Sequence, residues 1–150
     1  MKSKSGTVTI FITDRSFLDT NIIVYAFDKK DPEKNQTARK LIESLLLDDN
    51  FFISSQVILE FINVAYKKIK PPMADDQLYK FTESFPDKKI ILINKDIIQK
   101  AIRIRMETQY SIWDSLIISA ALSSGCTILY SEDLSHGKIV DGLQICNPFL

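Results

Sequence analysis

One acidic residue separates two apolar runs in the stretch that decides the fold, Phe17-Leu18-Asp19-Thr20-Asn21-Ile22-Ile23-Val24-Tyr25. The two residues before Asp19 are typical of a short buried strand, and the residues after Asn21 can open a helix. Asp19 therefore lies at a strand-to-helix junction, and open α/β sheets bind their ligands there, outside the carboxyl ends of the strands. Burying a lone carboxylate costs several kcal/mol, so we expect the rest of the chain to supply partners for Asp19.

Composition limits the class of protein. The chain has 150 residues, 45% apolar and 25% charged, which is ordinary for one globular domain. Its apolar runs are far shorter than the roughly 20 residues that span a bilayer, and no signal peptide is expected. With 19 basic and 19 acidic side chains, binding a phosphate-bearing substrate requires a local basic patch or metal ions. Cys126 and Cys146 form no spacing motif, so they are expected as buried free thiols in a reducing cytoplasm.

Short apolar strands alternate with longer helices along the chain. Strands are predicted at residues 17–18, 51–53, 90–93, 127–130 and 143–146. Helices are predicted to begin at capping residues and to end near proline or glycine, over residues 31–46, 54–70, 74–85, 94–108 and 111–124. Residues 131–137 are expected to form a loop, and residues 7–12 a β-segment or a loop. The alternation predicts a parallel sheet with helices on both faces, whose right-handed crossovers bring the carboxyl ends of the strands to one edge.

Three further acids follow predicted strands and can meet Asp19 at that edge. Glu60 lies in the helix after the second strand, Asp114 in the first turn of the last helix, and Asp133 in the loop after the fourth strand. Each has an ordinary alternative: Glu60 fits an exposed helical stripe, Asp114 fits a capping box with Ser111, and Asp133 alone is a common loop acid.

Carboxylates held close together repel one another unless a proton or a cation neutralises them. Oxygen ligands without histidine or cysteine select hard cations, so the acids predict one or two Mg²⁺ or Mn²⁺ ions rather than Zn²⁺. The single histidine, His136, lies in a loop that ends in glycine and is expected to be structural or exposed to solvent.

Four segments of the sequence resemble, in order, the motifs of PIN domains. They are residues 18–25 around Asp19, residues 54–61 ending in Glu60 and Phe61, residues 113–121 around Asp114, and residues 129–134 with the tail Asn147-Pro148-Phe149. The resemblance covers about residues 17–149, which leaves residues 1–15 as an N-terminal extension of uncertain role in a chain expected to form one PIN-like domain over residues 1–150.

This resemblance implies a three-layer α/β/α fold with a five-stranded parallel sheet of order 3-2-1-4-5. It also implies a Mg²⁺- or Mn²⁺-dependent ribonuclease, most similar to the VapC-type toxins of type II toxin–antitoxin systems. Such a protein is cytoplasmic, dimerises, acts on RNA and pairs with a cognate antitoxin. The acidic residues of the family fall on Asp19, Glu60, Asp114 and Asp133. Thr20, Asn21 and Ser131 are candidates for orienting water or substrate, and Ser131 stands where the family often has threonine.

Two alternatives remain open at this point. A phosphatase of the haloacid dehalogenase type also places an aspartate after its first strand, but it requires a second aspartate two residues later, where this chain has Asn21. A catalytically silent PIN-like binding module is the other alternative, although such a module is expected to have lost at least one of the four acids.

Overall fold

The computed structural model describes residues 14–150, so the predicted segment at Thr7–Ile12 lies outside the described residues. Within this range the strands are β1 (Ser16–Leu18), β2 (Phe51–Ser54), β3 (Ile90–Ile91), β4 (Ile128–Tyr130), β5 (Ile139–Val140) and β6 (Leu143–Cys146). The helices are α1 (Thr20–Phe27), α2 (Pro32–Asp48), α3 (Ser55–Lys67), α4 (Asp75–Glu83), α5 (Lys95–Thr108) and α6 (Ile112–Ser123), and a 3-10 turn spans Asp87–Lys89.

The strands form a sheet of order β3-β2-β1-β4-β6-β5. All pairings are parallel except that of β5 with β6. β1 is central: Phe17 is in register with Phe52 on one side and with Leu129 on the other. The predicted α/β class is confirmed, and the five parallel strands follow the predicted order, with β6 as the fifth.

The predicted strand count of five is wrong, because β5 adds a short antiparallel strand at the edge of the sheet. β5 and β6 are joined by Asp141 and Gly142, whose φ values are 49° and 85°. Two successive residues with positive φ make the two-residue hairpin turn that Asp-Gly favours. This dipeptide, between the apolar pair Ile139–Val140 and the strand Leu143–Cys146, is a hairpin signal that the sequence analysis did not use.

Side-chain caps fix the helix starts that matter for the site. The Oγ of Ser54 accepts the N–H of Val57 at 3.3 Å at the start of α3, and the Oγ of Ser111 accepts the N–H of Asp114 at 3.1 Å at the start of α6. The predicted cap at Ser111 is confirmed, and the side chains of Asp31 and Asn94 cap α2 and α5 in the same way. α3 ends at Lys67, somewhat before the prolines that were expected to stop it.

The core lies between the sheet and its helices. Phe17 is fully buried in β1, and every residue of α6 from Ser115 to Ala121 is buried. α1 packs against α2 and α3, whereas α5 packs against α6, as two groups of helices flanking one sheet require. No helix in residues 14–150 is long and apolar enough to cross a membrane.

The hairpin turn gives a test of the added strand. A Cβ at Gly142 would meet no atom within 4 Å, so Gly142→Ala introduces backbone strain without a clash. A left-handed conformation costs a residue with a Cβ about 1–2 kcal/mol, and we expect urea denaturation to show a loss of that size in the free energy of unfolding. Asp141→Asn is the control and should change it little, since asparagine tolerates positive φ. Equal stability of Gly142→Ala and the parent would contradict the turn.

Candidate active site

Asp19 is the N-cap of α1, and its buried carboxylate is held by two hydrogen bonds. One oxygen accepts the N–H of Thr20 at 2.7 Å, and the other accepts the hydroxyl of Ser131 at 2.8 Å. Its backbone N–H donates to the carbonyl of Tyr130 at 3.0 Å. Asp19 therefore lies where the central strand β1 and its neighbour β4 both end.

Burial raises the pKa of Asp19 from its ordinary value near 3.8 to about 7. Loss of solvation is the largest cause, and the negative charges of Glu60 and Asp133 raise the pKa further. The hydrogen bonds from Ser131 and Thr20 act in the opposite direction because they stabilise the carboxylate. Desolvation and nearby like charges thus outweigh two good donors, which is a common signature of a functional carboxylate.

Thr20 and Asn21 each hold one of the other predicted acids. The hydroxyl of Thr20 donates to Oε1 of Glu60 at 2.8 Å, and the side-chain amide of Asn21 donates to Oδ2 of Asp133 at 3.0 Å. The carbonyl oxygen of Asn21 accepts the N–H of Glu132 at 3.2 Å, which fixes the loop after β4. Two consecutive residues at the start of α1 thereby orient carboxylates that come from α3 and from this loop.

Asp114 is partly exposed in the first turn of α6, directly after the exposed Trp113. Desolvation raises the pKa of its carboxyl group, and the charge of Asp133 adds to that effect. The side-chain amide of Gln56 donates to the carbonyl of Trp113 at 3.1 Å, so the start of α6 is joined to the start of α3.

All four predicted acids line one cleft of about 1050 Å³. Thr20 and Asn21 line it too, whereas Ser131 is fully buried behind Asp19. Glu60 belongs to a face of α3 that lines the cleft with Gln56, Val64 and Lys67, at helical spacing. The interpretation of this face as a plain exposed stripe is therefore wrong.

The residues of the cleft fit a hard divalent cation by chemistry. The donors are carboxylate, amide and hydroxyl oxygens, and the buried carboxylate of Asp19 is the kind of group that a cation stabilises. Within residues 14–150, no three Asp, Glu, His or Cys side chains lie close enough together to ligate one ion in this arrangement. Glu60 and Asp133 are instead engaged with Thr20 and Asn21, so either side chain would have to rotate to share an ion with Asp19.

Sequence reasoning missed a second polar network beside the cleft. The hydroxyl of Tyr25 donates to Oε1 of Glu132 at 2.7 Å, and Lys34 forms an ion pair with the same carboxylate. The Nζ of Lys34 lies 5.0 Å from the ring centre of Tyr25 and 5.5 Å from that of Phe149. These contacts hold the loop after β4 and the C-terminal tail against α1 and α2. No local sequence pattern predicts them, because the residues are far apart in the chain.

Histidine and cysteine take no part in this site. His136 accepts the N–H of Asn147 through Nδ1 at 2.9 Å, which agrees with the structural role predicted for it. Cys126 and Cys146 are buried free thiols, as predicted.

The molecule is thus an α/β protein with an acidic cleft, whose acids come from the N-cap of α1, from α3, from α6 and from the loop after β4. The family model for the PIN domain matches residues 16–140, so the chain belongs to the PIN-domain family. No curated protein sequence matches the chain significantly.

Solved structures of toxin–antitoxin systems share the fold. A toxin–antitoxin complex from Klebsiella pneumoniae matches with a TM-score of 0.64 at 19% identity, over 89% of this chain and 97% of that one. VapBC2 from Rickettsia felis, bound to a DNA fragment from its promoter, gives 0.63 at 23% identity, over 87% and 96%. The sarcin–ricin-loop-cleaving toxin VapC20 from Mycobacterium tuberculosis gives 0.56 at 14% identity, over 79% and 91%. At these identities the likeness establishes the fold.

The raised pKa of Asp19 predicts how stability depends on pH when divalent ions are removed. Because folding raises this pKa from near 3.8 to about 7, the folded state favours the protonated acid. The contribution of this proton to the free energy of unfolding is fully present below about pH 4 and is lost as pH rises through 7. The loss is about 4 kcal/mol at 1.36 kcal/mol per pKa unit.

Asp19→Asn should lack this contribution, since an amide can accept from Thr20 and donate to Ser131. Urea denaturation of both proteins in chelator between pH 4 and pH 8 measures the effect as a difference. We expect the variant to gain on the parent as pH rises and to be at least as stable at pH 8. Parallel profiles, or a clear loss of stability in the variant at pH 8, would mean that Asp19 is a structural acid.

Proposed function

We propose that this protein is a metal-dependent ribonuclease that hydrolyses RNA phosphodiester bonds and acts as the toxin of a toxin–antitoxin pair. One observation carries the proposal: acids from four separate elements line a single cleft at the carboxyl edge of the central strands. Membership of the PIN family and the likeness to toxins, one of them described as cleaving the sarcin–ricin loop, support the same reaction.

Asp19, Glu60, Asp114 and Asp133 are the residues that we assign to the catalytic site and to metal binding. We propose Mg²⁺ or Mn²⁺, one ion or two, because the donor atoms are all oxygen. When bound, such ions lower the pKa of water to give a nucleophile and stabilise the leaving oxygen of an in-line displacement.

The side chains around these acids have distinct tasks in the proposal. Ser131 and the N–H of Thr20 hold the carboxylate of Asp19 in one orientation at the base of the cleft. Thr20 and Asn21 set the positions of Glu60 and Asp133, so they are positioning residues in the absence of substrate. Once Glu60 and Asp133 turn toward an ion, the freed hydroxyl and amide can orient water or a phosphate oxygen.

Asn21 also separates this proposal from the phosphatase alternative. The residue two positions after the first aspartate would have to act as a general acid and base. Here it is an amide, which does not ionise near neutral pH and so cannot serve as a general acid or base, and its side chain holds Asp133 and the loop after β4.

The wider assignments follow from the family and from the neighbours. The named toxin–antitoxin complexes support a cognate antitoxin as partner, and two free cysteines suit a reducing cytoplasm. We also propose that the chain is one domain and forms a homodimer. A search for a small antitoxin gene beside this one, and the mass of the purified protein in solution, test these points.

Cleavage by matched asparagine variants tests the catalytic assignment. Asp19→Asn and Asp114→Asn should each reduce Mg²⁺- or Mn²⁺-dependent cleavage of total RNA by at least about 100-fold, since each removes a charge that metal binding needs. Asp141→Asn, an exposed acid in the hairpin turn that does not line the cleft, should cleave like the parent. Circular dichroism should report the same fold in all four proteins.

Sequencing of the RNA ends after brief expression then identifies the cleaved bond. Full cleavage by either cleft variant would reject the assignment of that acid. A folded parent protein that cleaves no RNA with either ion would favour a silent binding module instead.

A further inference from the structure

The cleft carries an exposed aromatic ring beside its acids. Trp113, the only tryptophan of the chain, is 62% exposed. It lines the cleft directly before Asp114. An exposed tryptophan at the mouth of a cleft offers a flat aromatic face on which another ring can stack. No other ring lies against Trp113 among the ring contacts of the described residues.

The backbone beneath this ring is fixed. The amide of Gln56 donates to the carbonyl of Trp113 at 3.1 Å, and Gln56 is only 9% exposed. Its orientation is settled because the carbonyl of Trp113 can only accept. The remaining oxygen of Gln56 is buried and has no donor among the described residues. A buried acceptor without a partner is rare in proteins, and this one belongs to a side chain that lines the cleft.

Positive charge is concentrated at the opposite end of α3. Lys67, Lys68 and Lys70 line the cleft with exposed side chains, and none of them forms an ion pair within residues 14–150. Gln56 and Lys67 are eleven residues apart on one helix, which is about 16 Å at 1.5 Å per residue. That length holds at most about five nucleotides of a stacked strand at 3.4 Å each.

We propose that this face of α3 is the track of an unpaired RNA segment, with one base stacked on Trp113 and phosphates contacting Lys67 and Lys68. This inference rests on the proposed function and adds to it the side chains that hold the RNA strand. Stacking on an aromatic ring needs an open base face, which a continuous duplex does not offer. The acids Glu60 and Asp114 lie beside this track, so the scissile phosphate reaches them between the ring and the lysines.

Fluorescence tests the stacking directly, because Trp113 is the sole tryptophan. The binding experiment uses the Asp19→Asn protein in chelator, which prevents metal-dependent cleavage and lowers the repulsion of phosphate. An unstructured RNA of about 12 nucleotides, within the range of single-strand site sizes, should quench the emission in a saturable way. The same strand annealed to its complement should quench it much less. Unchanged emission with the single strand would overturn the inference.

Matched variants test the same contact through affinity, which the fluorescence anisotropy of labelled RNA measures. In the same background, Trp113→Ala should weaken binding by about 5- to 150-fold, the range for removing one stacked base, and Trp113→Phe should restore most of it. Tyr79→Ala is the control: Tyr79 is 67% exposed on α4 and does not line the cleft. Equal losses for Trp113→Ala and Tyr79→Ala, or no loss for either, would contradict a specific platform.

The lysines are tested by salt dependence. Replacing Lys67 and Lys68 by alanine should reduce the slope of log K against log salt by about 1.4, since each phosphate contact on a single strand contributes about 0.7. The control pair, Lys80 and Lys95, is exposed and lies outside the cleft, and its replacement should leave the slope unchanged. Equal slopes for the two double variants would overturn the phosphate track.

The inference and the proposed function fail in different ways. If Trp113→Ala binds RNA like its parent while Asp19→Asn abolishes cleavage, the RNA track is wrong and the ribonuclease stands. If RNA quenches Trp113 but the native protein cleaves no RNA with Mg²⁺ or Mn²⁺, the track stands and the nuclease function is wrong.

Discussion

The carboxylate of Asp19 is the constraint on which the rest of the site depends. It lies at the end of β1 and accepts one hydrogen bond from the start of α1 and one from Ser131 after β4. The same group thus caps a helix and joins two adjacent strands at their carboxyl ends. Its two donors do not fully offset desolvation and the nearby charges, so the fold retains a carboxylate whose charged form is unfavourable at this position. A bound cation would offset that cost.

The other acids depend on the same junction. Thr20 and Asn21 follow Asp19 directly and hold Glu60 and Asp133, so three consecutive residues control three carboxylates from different elements. This explains why so short a segment carries so much information about function: its backbone is fixed by β1 and by the first turn of α1, and its side chains reach α3 and the loop after β4. Asp114 is set separately, through the cap of α6.

Local chemistry decided which parts of the molecule could be predicted from the sequence. Strand-to-helix junctions and side-chain caps such as Ser54 and Ser111 depend on neighbouring residues, and parallel pairing follows from the alternation of elements. The strand order was implied by the resemblance to PIN domains. The β5–β6 hairpin had a local signal in Asp141-Gly142, which a pattern dominated by longer apolar runs obscured. The pairing of Thr20 with Glu60 spans forty positions and has no local signature, because it depends on how α1 and α3 cross.

α3 shows how one helical periodicity can carry two meanings. Residues spaced by three and four along a helix share a face whatever that face contacts, so a polar row that includes Glu60 is compatible with bulk solvent and with a cleft. The buried side chain of Gln56 distinguishes a cleft wall from a solvent-exposed face, because its amide donates a hydrogen bond to α6. A glutamine at an exposed position would lose conformational entropy in such a bond and gain little from it. Its burial therefore identifies the row as the wall of a cleft, with Glu60 at its centre and the lysines at its end.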